Sequence, residues 1–246
     1  MIPVLAGATR VFCIPLFLVA AQVGAVDIDP RSPRLLPATV LLYQEREPGT
    51  DTYPLRMLIS KDYVRSDEGV DGGNFLLYDR RAKVVYSVSR EERRILVIRD
   101  QPFDRRVPET LKLEDRVALA DEAPRIEGRP VYAYSLLSDG NVCQQSLVVP
   151  GLLTEEAKAI NELRGLLAGR QYRDLNKTPE EFRTACFLAN YVYAPGRNLE
   201  HGFAVQESND AGRHRLLIDY KFGVDTDLRL FELPAGYEQY SLPEPQ

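Results

Sequence analysis

Histidine and cysteine, the side chains that most often bind metals or transfer protons, are scarce in this sequence. Its 246 residues include two histidines and three cysteines. These numbers and their spacing argue against a zinc site built from Cys and His. His201 follows Glu200 in a polar stretch, which favours a solvated loop over half of an acid–base or metal site. His214 stands between Arg213 and Arg215, whose charges disfavour a cation there and indicate a surface histidine.

Other nucleophiles and ligands are equally poorly supported by the residue pattern. No serine occupies a Gly-x-Ser-x-Gly elbow. The groups 71–73 and 225–227 contain aspartates, but too few oxygen ligands for a calcium loop, so they predict turns. We therefore predict a protein that is not an enzyme, with no catalytic residue, no metal and no cofactor. A hydrolase with an unrecognised site is a distant alternative.

Overall composition is that of a globular protein. Hydrophobic residues make up 44% and charged residues 27% of the chain. The formal net charge of −5 argues against a protein that binds nucleic acid through an overall positive charge.

Residues 1–25 have the pattern of a secretory signal peptide. Arg10 precedes an apolar run over 11–21, and Val23-Gly24-Ala25 fits the small-x-small rule for cleavage before Val26. An uncleaved anchor is the alternative, but the run is shorter than the ~20 residues that span a bilayer. The sequence thus predicts export, most simply to the periplasm, and contact with membranes that is peripheral at most.

Cleavage of the signal peptide leaves two cysteines, Cys143 and Cys186. In an oxidising compartment they most simply form a disulfide. Two free buried thiols are the alternative. The bridge would rule out a cysteine nucleophile.

The first part of the mature chain predicts an antiparallel meander. Residues 26–37 contain three prolines and predict an extended lead-in. Short apolar runs follow, and their hairpin-length connections cannot form parallel crossovers. Some runs are apolar on both faces, so at least one face of the sheet must be packed. The five predicted strands are Thr39–Gln44, Leu55–Ile59 with Tyr63–Arg65, Phe75–Tyr78, Val84–Val88 and Ile95–Ile98.

The second part predicts a hairpin, two helices and further strands. Residues 100–124 look irregular, and Ile126–Leu137 with Asn141–Val149 predict a hairpin. A helix is expected from Thr154 to Gly169, with an apolar stripe that includes Leu163. A second helix is expected from Thr178, where a capping box begins. Its buried stripe would consist of Phe182, Cys186, Ala189 and Tyr193. The final predicted strands are Phe203–Gln206, His214–Phe222 and Leu228–Phe231.

These elements predict one domain over 38–240, followed by a polar tail over 241–246. Their order, with helices gathered between runs of strands, is typical of an α+β fold in which helices cover one side of an antiparallel sheet.

Several segments resemble the Lol-type lipoprotein-carrier superfamily and its exported relatives of unknown function. The similar segments are LISKDYVRSD at 58–67, FLLYD at 75–79, VVYSV at 84–88 and FELPAGY at 231–237. The resemblance implies a curved antiparallel half-barrel whose concave side is closed by two main helices around an apolar cavity. It implies a carrier or binder of an acyl chain or lipid in the cell envelope.

The resemblance, together with the strands that are apolar on both faces, indicates candidate cavity residues. They are Leu58, Phe75, Leu77, Val85, Ile95, Val97, Leu163, Leu167 and Phe182. An envelope interaction or sensor module with the same fold and a filled core is the alternative function.

Positive charge is concentrated between Asp79 and Arg106, where nine Lys and Arg residues accompany five Asp and Glu residues. This basic rim could contact lipid headgroups or an envelope protein partner. The simpler interpretation is a set of solvated hairpin tips that protect the sheet. The candidate contact residues are Arg80, Arg81, Arg90, Arg93 and Arg94.

Overall fold

A single large sheet dominates the protein. The structure, a computed structural model, describes residues 34–101 and 103–243. The predicted signal peptide lies outside these residues, as does most of the lead-in. The strands are β1 Leu35–Arg46, β2 Tyr53–Ile59, β3 Tyr63–Asp67, β4 Phe75–Asp79, β5 Val84–Ser89, β6 Arg94–Arg99, β7 Leu113–Leu119, β8 Tyr132–Ser138, β9 Asn141–Val149, β10 Phe203–Asn209, β11 His214–Asp227 and β12 Glu238–Tyr240.

The sheet consists of two meanders joined side by side. Strands β1–β6 form one meander and β7–β11 the other, and β1 pairs with β11 along nearly its whole length. Every pair is antiparallel except β12 with β6, which is parallel. The order is β12-β6-β5-β4-β3-β2-β1-β11-β10-β9-β8-β7. Among the described strands, β12 and β7 are therefore the two open edges.

One long helix covers what we call the inner face of the sheet. Helix α1, Thr154–Asp174, begins where the sequence predicts and carries Glu155 and Glu156 in its first turn. Its residues Ile160 and Leu163 pack against buried side chains of β1–β5 and β10. The Thr39 hydroxyl of β1 donates a hydrogen bond of 2.6 Å to Glu156, which ties the helix to the sheet.

Helix α1 continues past Gly169, where the sequence predicts its end. Gly169 is buried within the helix, and a Cβ there would lie 3.3 Å from the Gln101 carbonyl and from the Phe103 ring. This glycine therefore permits close packing and is not a C-terminal cap.

The outer face of the sheet carries a second apolar cluster, covered by what we call the C-terminal segment, residues 228–240. Phe231 and Leu233 of this segment pack there. Residues Leu228–Phe231, predicted as a strand, form a 3₁₀ turn instead. Arg65 donates to the Leu230 carbonyl at 2.6 Å, and Tyr63 stacks on Phe231 at 5.6 Å between ring centroids.

The prediction of a second helix that begins at Thr178 is wrong. Residues 175–182 form two short 3₁₀ turns, and helix α2 spans only Ala185–Leu188 before a wide π-type turn over 189–193. Its cap is Thr184, whose hydroxyl accepts from the Phe187 amide at 3.0 Å. The break before Thr184 takes Phe182 off the expected buried stripe, and Phe182 is 63% exposed.

The predicted fold class, an α+β half-barrel with two main helices on its concave side, is therefore wrong. The protein is a sheet-dominated fold with an open, mixed sheet of 12 strands and one long helix. Residues 100–124 contain an unpredicted strand, β7, and the predicted five-strand meander has six strands because β2 and β3 are separate. Strand β1 begins at Leu35, inside the predicted lead-in.

The predicted disulfide is confirmed. Cys143 of β9 and Cys186 of α2 are bonded, with 4.9 Å between their Cα atoms. Asn190 adds a hydrogen bond of 2.9 Å from its side-chain amide to the Cys143 carbonyl. A disulfide between buried cysteines is compatible with an exported protein. Among the described residues, no helix has both the length and the hydropathy needed to cross a membrane.

Candidate functional site

The predicted cavity residues do not come together around one space. Strand alternation places most of them on the outer face, packed beneath the C-terminal segment: Leu58, Phe75, Leu77, Ile95 and Val97. Val85 and Leu163 are buried on the inner face, where α1 fills the space over the sheet. Only Leu167 lines one of the two cavities described below.

The predicted basic rim is also divided. Arg80 and Arg81 lie in the β4–β5 turn, whereas Arg90 and Arg93 lie in the β5–β6 turn at the other end of β5. Arg80 is held by α1, because its Nε and Nη2 donate to the Glu162 carboxylate at 2.8 and 2.9 Å.

Three further rim arginines, Arg90, Arg93 and Arg94, contact other parts of the chain. Arg94 lies 3.2 Å from the Glu238 carboxylate and 4.2 Å from the Tyr240 ring centroid, so it holds β12 against β6. Arg93 lies over Tyr237 at 5.6 Å, and Arg90 lies at the same distance from the Phe75 ring.

A cavity of about 410 Å³ opens between the C-terminal half of α1, the turn at 190–195 and strands β10 and β11. This is a typical size for a small-molecule site. We call it the arginine cleft, after its lining residues Arg164, Arg170, Arg213 and Arg215. Its apolar lining consists of Ile98, Leu167, Ala168, Pro195 and Leu242.

Two carboxylates hold three of these arginines in place. Arg164 of α1 donates from Nη2 to both oxygens of Glu207 at 2.7 and 2.9 Å. Arg215 donates from Nη2 to Glu45 at 2.9 Å, and Arg213 pairs with the other Glu45 oxygen. Three guanidinium groups thus meet two buried or nearly buried carboxylates, which leaves one positive charge in excess.

Glu207 is strongly stabilised as a carboxylate. Burial opposes its ionisation, but the charges of Arg164 and Arg215 and the hydrogen bonds from Arg164 and Asn198 outweigh burial and lower its pKa to about 2. The Asn198 amide donates to Glu207 at 2.7 Å and is itself fully buried. Burial also raises the pKa of Tyr43, whose ring lies 5.2 Å below the Arg215 guanidinium.

Uncharged polar groups line one wall of the arginine cleft. Asn209 donates to the Tyr191 hydroxyl at 2.9 Å. The Asn190 side-chain oxygen is buried and accepts no hydrogen bond from any described residue. Because a buried acceptor without a donor is costly, this oxygen is free to accept a hydrogen bond from a group that enters the cleft.

The sequence analysis did not predict the charged residues of the arginine cleft, although the alternation of β1 and β11 contains a signal for two of them. Leu41, Tyr43 and Glu45 are alternate residues of β1, and the first two belong to the inner apolar cluster. Arg215 and Leu217 continue the same pattern on β11. A charged residue at an inward position of an apolar alternation predicts a buried ion pair or a site.

A second cavity, of about 360 Å³, lies beside the start of α1 and includes Glu200 and His201. The His201 ring packs against Tyr134 with 5.0 Å between centroids, so it is less exposed to solvent than the loop that the sequence predicts. Nearby, Asp115 accepts from the Tyr134 hydroxyl at 2.8 Å and from Arg197 Nε at 2.7 Å.

Metal-binding geometry is lacking in the described part of the chain. His, Cys, Asp and Glu side chains within 34–101 and 103–243 form no group of three that could hold a metal ion.

Comparison with known proteins identifies no family for this chain. No protein-family model matches it, and no curated protein is significantly similar to it. An uncharacterized conserved protein from Thermus thermophilus has a solved structure that aligns over 83% of this chain and 90% of its own, with 10% identity and a TM-score of 0.41. The structure of PNGF-II aligns over 84% of this chain but 31% of its own, with 9% identity and a TM-score of 0.40. This chain spans about a third of PNGF-II.

Proposed function

We propose that this protein is an exported, non-enzymatic binding protein that holds an amphiphile, an acyl chain with an acidic headgroup, in the arginine cleft. The observation that carries the proposal is the pairing of two kinds of lining in one cavity. Apolar side chains of α1 and β6 form one part, and arginines form another, among them Arg213, which shares the Glu45 carboxylate with Arg215.

The cleft geometry fits an anion better than a neutral ligand. Arg213 is 40% exposed and faces the cleft, so its guanidinium is accessible while Glu45 still neutralises Arg215. Glu47 lies 4.0 Å from Arg213 but is half exposed, so water screens this contact. A ligand carboxylate or phosphate would replace that weak pairing by a charge-assisted hydrogen bond.

The apolar part would take the chain of the amphiphile. Leu167 and Ala168 lie on consecutive positions of α1, and Ile98 faces them from β6. Burial of hydrocarbon contributes ~25 cal/mol per Å², so a short acyl segment is enough to orient the ligand with its headgroup at the arginines.

Native mass spectrometry of the exported chain, with organic extraction of bound species, is the first test. We expect a stoichiometric amphiphile in protein purified from the cell envelope. In calorimetry, decanoate should bind at least tenfold more tightly than decanol, which has the same chain without the charge. Equal affinities, or no binding of either, would overturn the proposal.

Matched variants locate the site. Arg213→Gln should weaken decanoate binding about tenfold and leave decanol unaffected, and Leu167→Gln should weaken both. Arg106→Gln is the control, because Arg106 is exposed and pairs with Asp104 outside the cleft. Unchanged binding in Arg213→Gln would place the ligand elsewhere.

An envelope interaction module with a filled core remains the second candidate. The observation that favours it is the packing of Leu77, Val97 and their neighbours beneath the C-terminal segment. Leu77→Glu or Val97→Glu should unfold the protein, because either change buries a carboxylate in the outer apolar cluster. A clean apo mass, unchanged when lipids are offered, would favour this candidate.

A further inference from the structure

Strand β7 is an open edge of the sheet. Of the described strands, only β8 pairs with it, and its register is unbroken from Leu113 opposite Ser138 to Leu119 opposite Tyr132. Residues 116–119 are exposed, and they include Val117 at 45% and Leu119 at 51%. A seven-residue edge strand with exposed apolar side chains is a surface that pairs readily with another strand.

The backbone hydrogen bonds at both ends of β7 show which groups point outward. Asp139 N donates to the Lys112 carbonyl at 3.0 Å, and Ala120 N donates to the Val131 carbonyl at 2.9 Å. In an antiparallel pair, bonding alternates along the strand. Even-numbered residues of β7 therefore bond to β8, and the amides and carbonyls of 113, 115, 117 and 119 point away from the sheet.

We propose that β7 pairs antiparallel with β7 of a second copy of this chain, with Asp115 opposite Asp115 at the two-fold axis. In this register the outward-pointing amides and carbonyls of the two β7 strands face each other, and they form about six backbone hydrogen bonds. It places Leu113 opposite Val117 of the second copy, so an exposed apolar side chain gains an apolar neighbour.

Charge selects this register over its neighbours. Glu114 falls opposite Arg116 of the second copy, and Arg116 opposite Glu114, so two ion pairs form across the interface. Within one chain these residues already pair, with Arg116 Nε 2.7 Å from Glu114. A shift of one residue on each strand places Arg116 opposite Arg116 or Glu114 opposite Glu114, which is repulsive. The two intermediate registers, with residue 115 opposite residue 114 or 116, place backbone groups that point outward opposite backbone groups that point toward β8.

The two Asp115 carboxylates at the axis do not oppose the pairing. Each accepts hydrogen bonds from Tyr134 and Arg197 of its own chain, at 2.8 and 2.7 Å. The Arg197 guanidinium neutralises the carboxylate and holds it on its own sheet.

Charge variants of the exported chain test the interface by sedimentation velocity. We expect a wild-type dimer, and an increase of at least tenfold in the dimer dissociation constant for Glu114→Arg and for Arg116→Glu. The double exchange, Glu114→Arg with Arg116→Glu, should restore dimerisation to within about threefold, because the pairs re-form with reversed sign. Both side chains are more than half exposed, so thermal melts should confirm that each variant folds.

A wild-type monomer at millimolar concentration would overturn the proposal, and so would a dimer that neither single exchange weakens. Binding of an unrelated extended peptide by a monomeric protein would assign the edge to a different partner and also overturn it.

Cysteine cross-linking tests the register. Opposed residues that do not share backbone hydrogen bonds have Cα atoms about 4.5 Å apart, within the range of a disulfide. Glu114→Cys mixed with Arg116→Cys should cross-link, and neither variant alone should. A cross-link in either variant alone would contradict the register.

Discussion

Arg164 of α1 and Glu207 of β10 form an ion pair across the floor of the arginine cleft. The two contacts from Arg164 Nη2 measure 2.7 and 2.9 Å. The same guanidinium donates from Nη1 to the Pro195 carbonyl and to the Asn198 side chain, both at 3.3 Å. One side chain thus joins the long helix, the turn after α2 and the second meander, which gives the cleft a fixed floor.

Glu207 should make the protein sensitive to acid. Its pKa is about 2, against an ordinary value of 4.5. Its stabilisation is therefore fully present above pH 4.5 and is lost as the pH falls through 2. The loss amounts to about 3 kcal/mol of unfolding free energy. Urea unfolding across this range should show that Glu207→Gln removes this part of the pH dependence.

Arg164→Met gives the complementary result. Removal of the cation that lowers the pKa of Glu207 should raise that pKa. The loss of unfolding free energy in acid should then occur at a higher pH than in wild type. Parallel pH–stability curves for wild type and Glu207→Gln would contradict the assignment.

Loss of the Cys143–Cys186 disulfide should cost about 4 kcal/mol of unfolding free energy in the chain-entropy model. The two cysteines are 43 residues apart and join β9 to α2, which has a single turn of its own. Cys143→Ala with Cys186→Ala, measured by urea unfolding, should match wild type under reductant. A reductant-insensitive wild type would contradict this role.

Arg65 should be essential for the outer cluster. It is almost fully buried, donates to Asp67 at 2.6 Å, and lies 3.9 Å from the Phe75 ring centroid. Arg65→Met would leave Asp67 under-neutralised and the Leu230 carbonyl without its donor. We expect a loss of about 3–5 kcal/mol of unfolding free energy.

Arg56→Met is the matched control for Arg65. Arg56 also binds Asp67, at 2.9 Å, but its side chain is 18% exposed and can be replaced by water. Arg56→Met should therefore lower the unfolding free energy less than Arg65→Met does. Equal losses in thermal denaturation would show that Arg65 has no special role in holding the C-terminal segment.

Gly202 should not tolerate a side chain. Its φ is +146°, and a Cβ would lie 2.6 Å from the Val149 carbonyl carbon, which is backbone and cannot move aside. Gly202→Ala should lower the melting temperature by several degrees or prevent folding. Gly72→Ala is the control, because a Cβ there meets nothing within 4 Å. Similar melting temperatures for the two variants would contradict the close approach.

Local patterns in the sequence determined most of the individual elements. Short apolar runs predicted the strands of the first meander within a few residues of their observed ends, and the acidic first turn located the start of α1. Cleavage of the predicted signal peptide would leave only Cys143 and Cys186, so the sequence predicted a single intramolecular pairing, which the structure confirms. These features depend on neighbours in the chain or on counting, so they can be derived without a fold.

Only the tertiary structure decided how the elements combine. Leu58 and Ile59 are both apolar, so the sequence pattern could not show which of them faces α1. The register of β2 decides this, and it places Ile59 on the inner face and Leu58 on the outer face. The capping box at Thr178 predicted a helix start there, but the helix that carries Cys186 is capped by Thr184. Glu45, Arg164, Glu207 and Arg215 lie on four different elements, and they meet because β1 pairs with β11 and α1 packs on strands of both meanders. The Coulomb energy between such charges depends on their separation in space, which no local pattern contains.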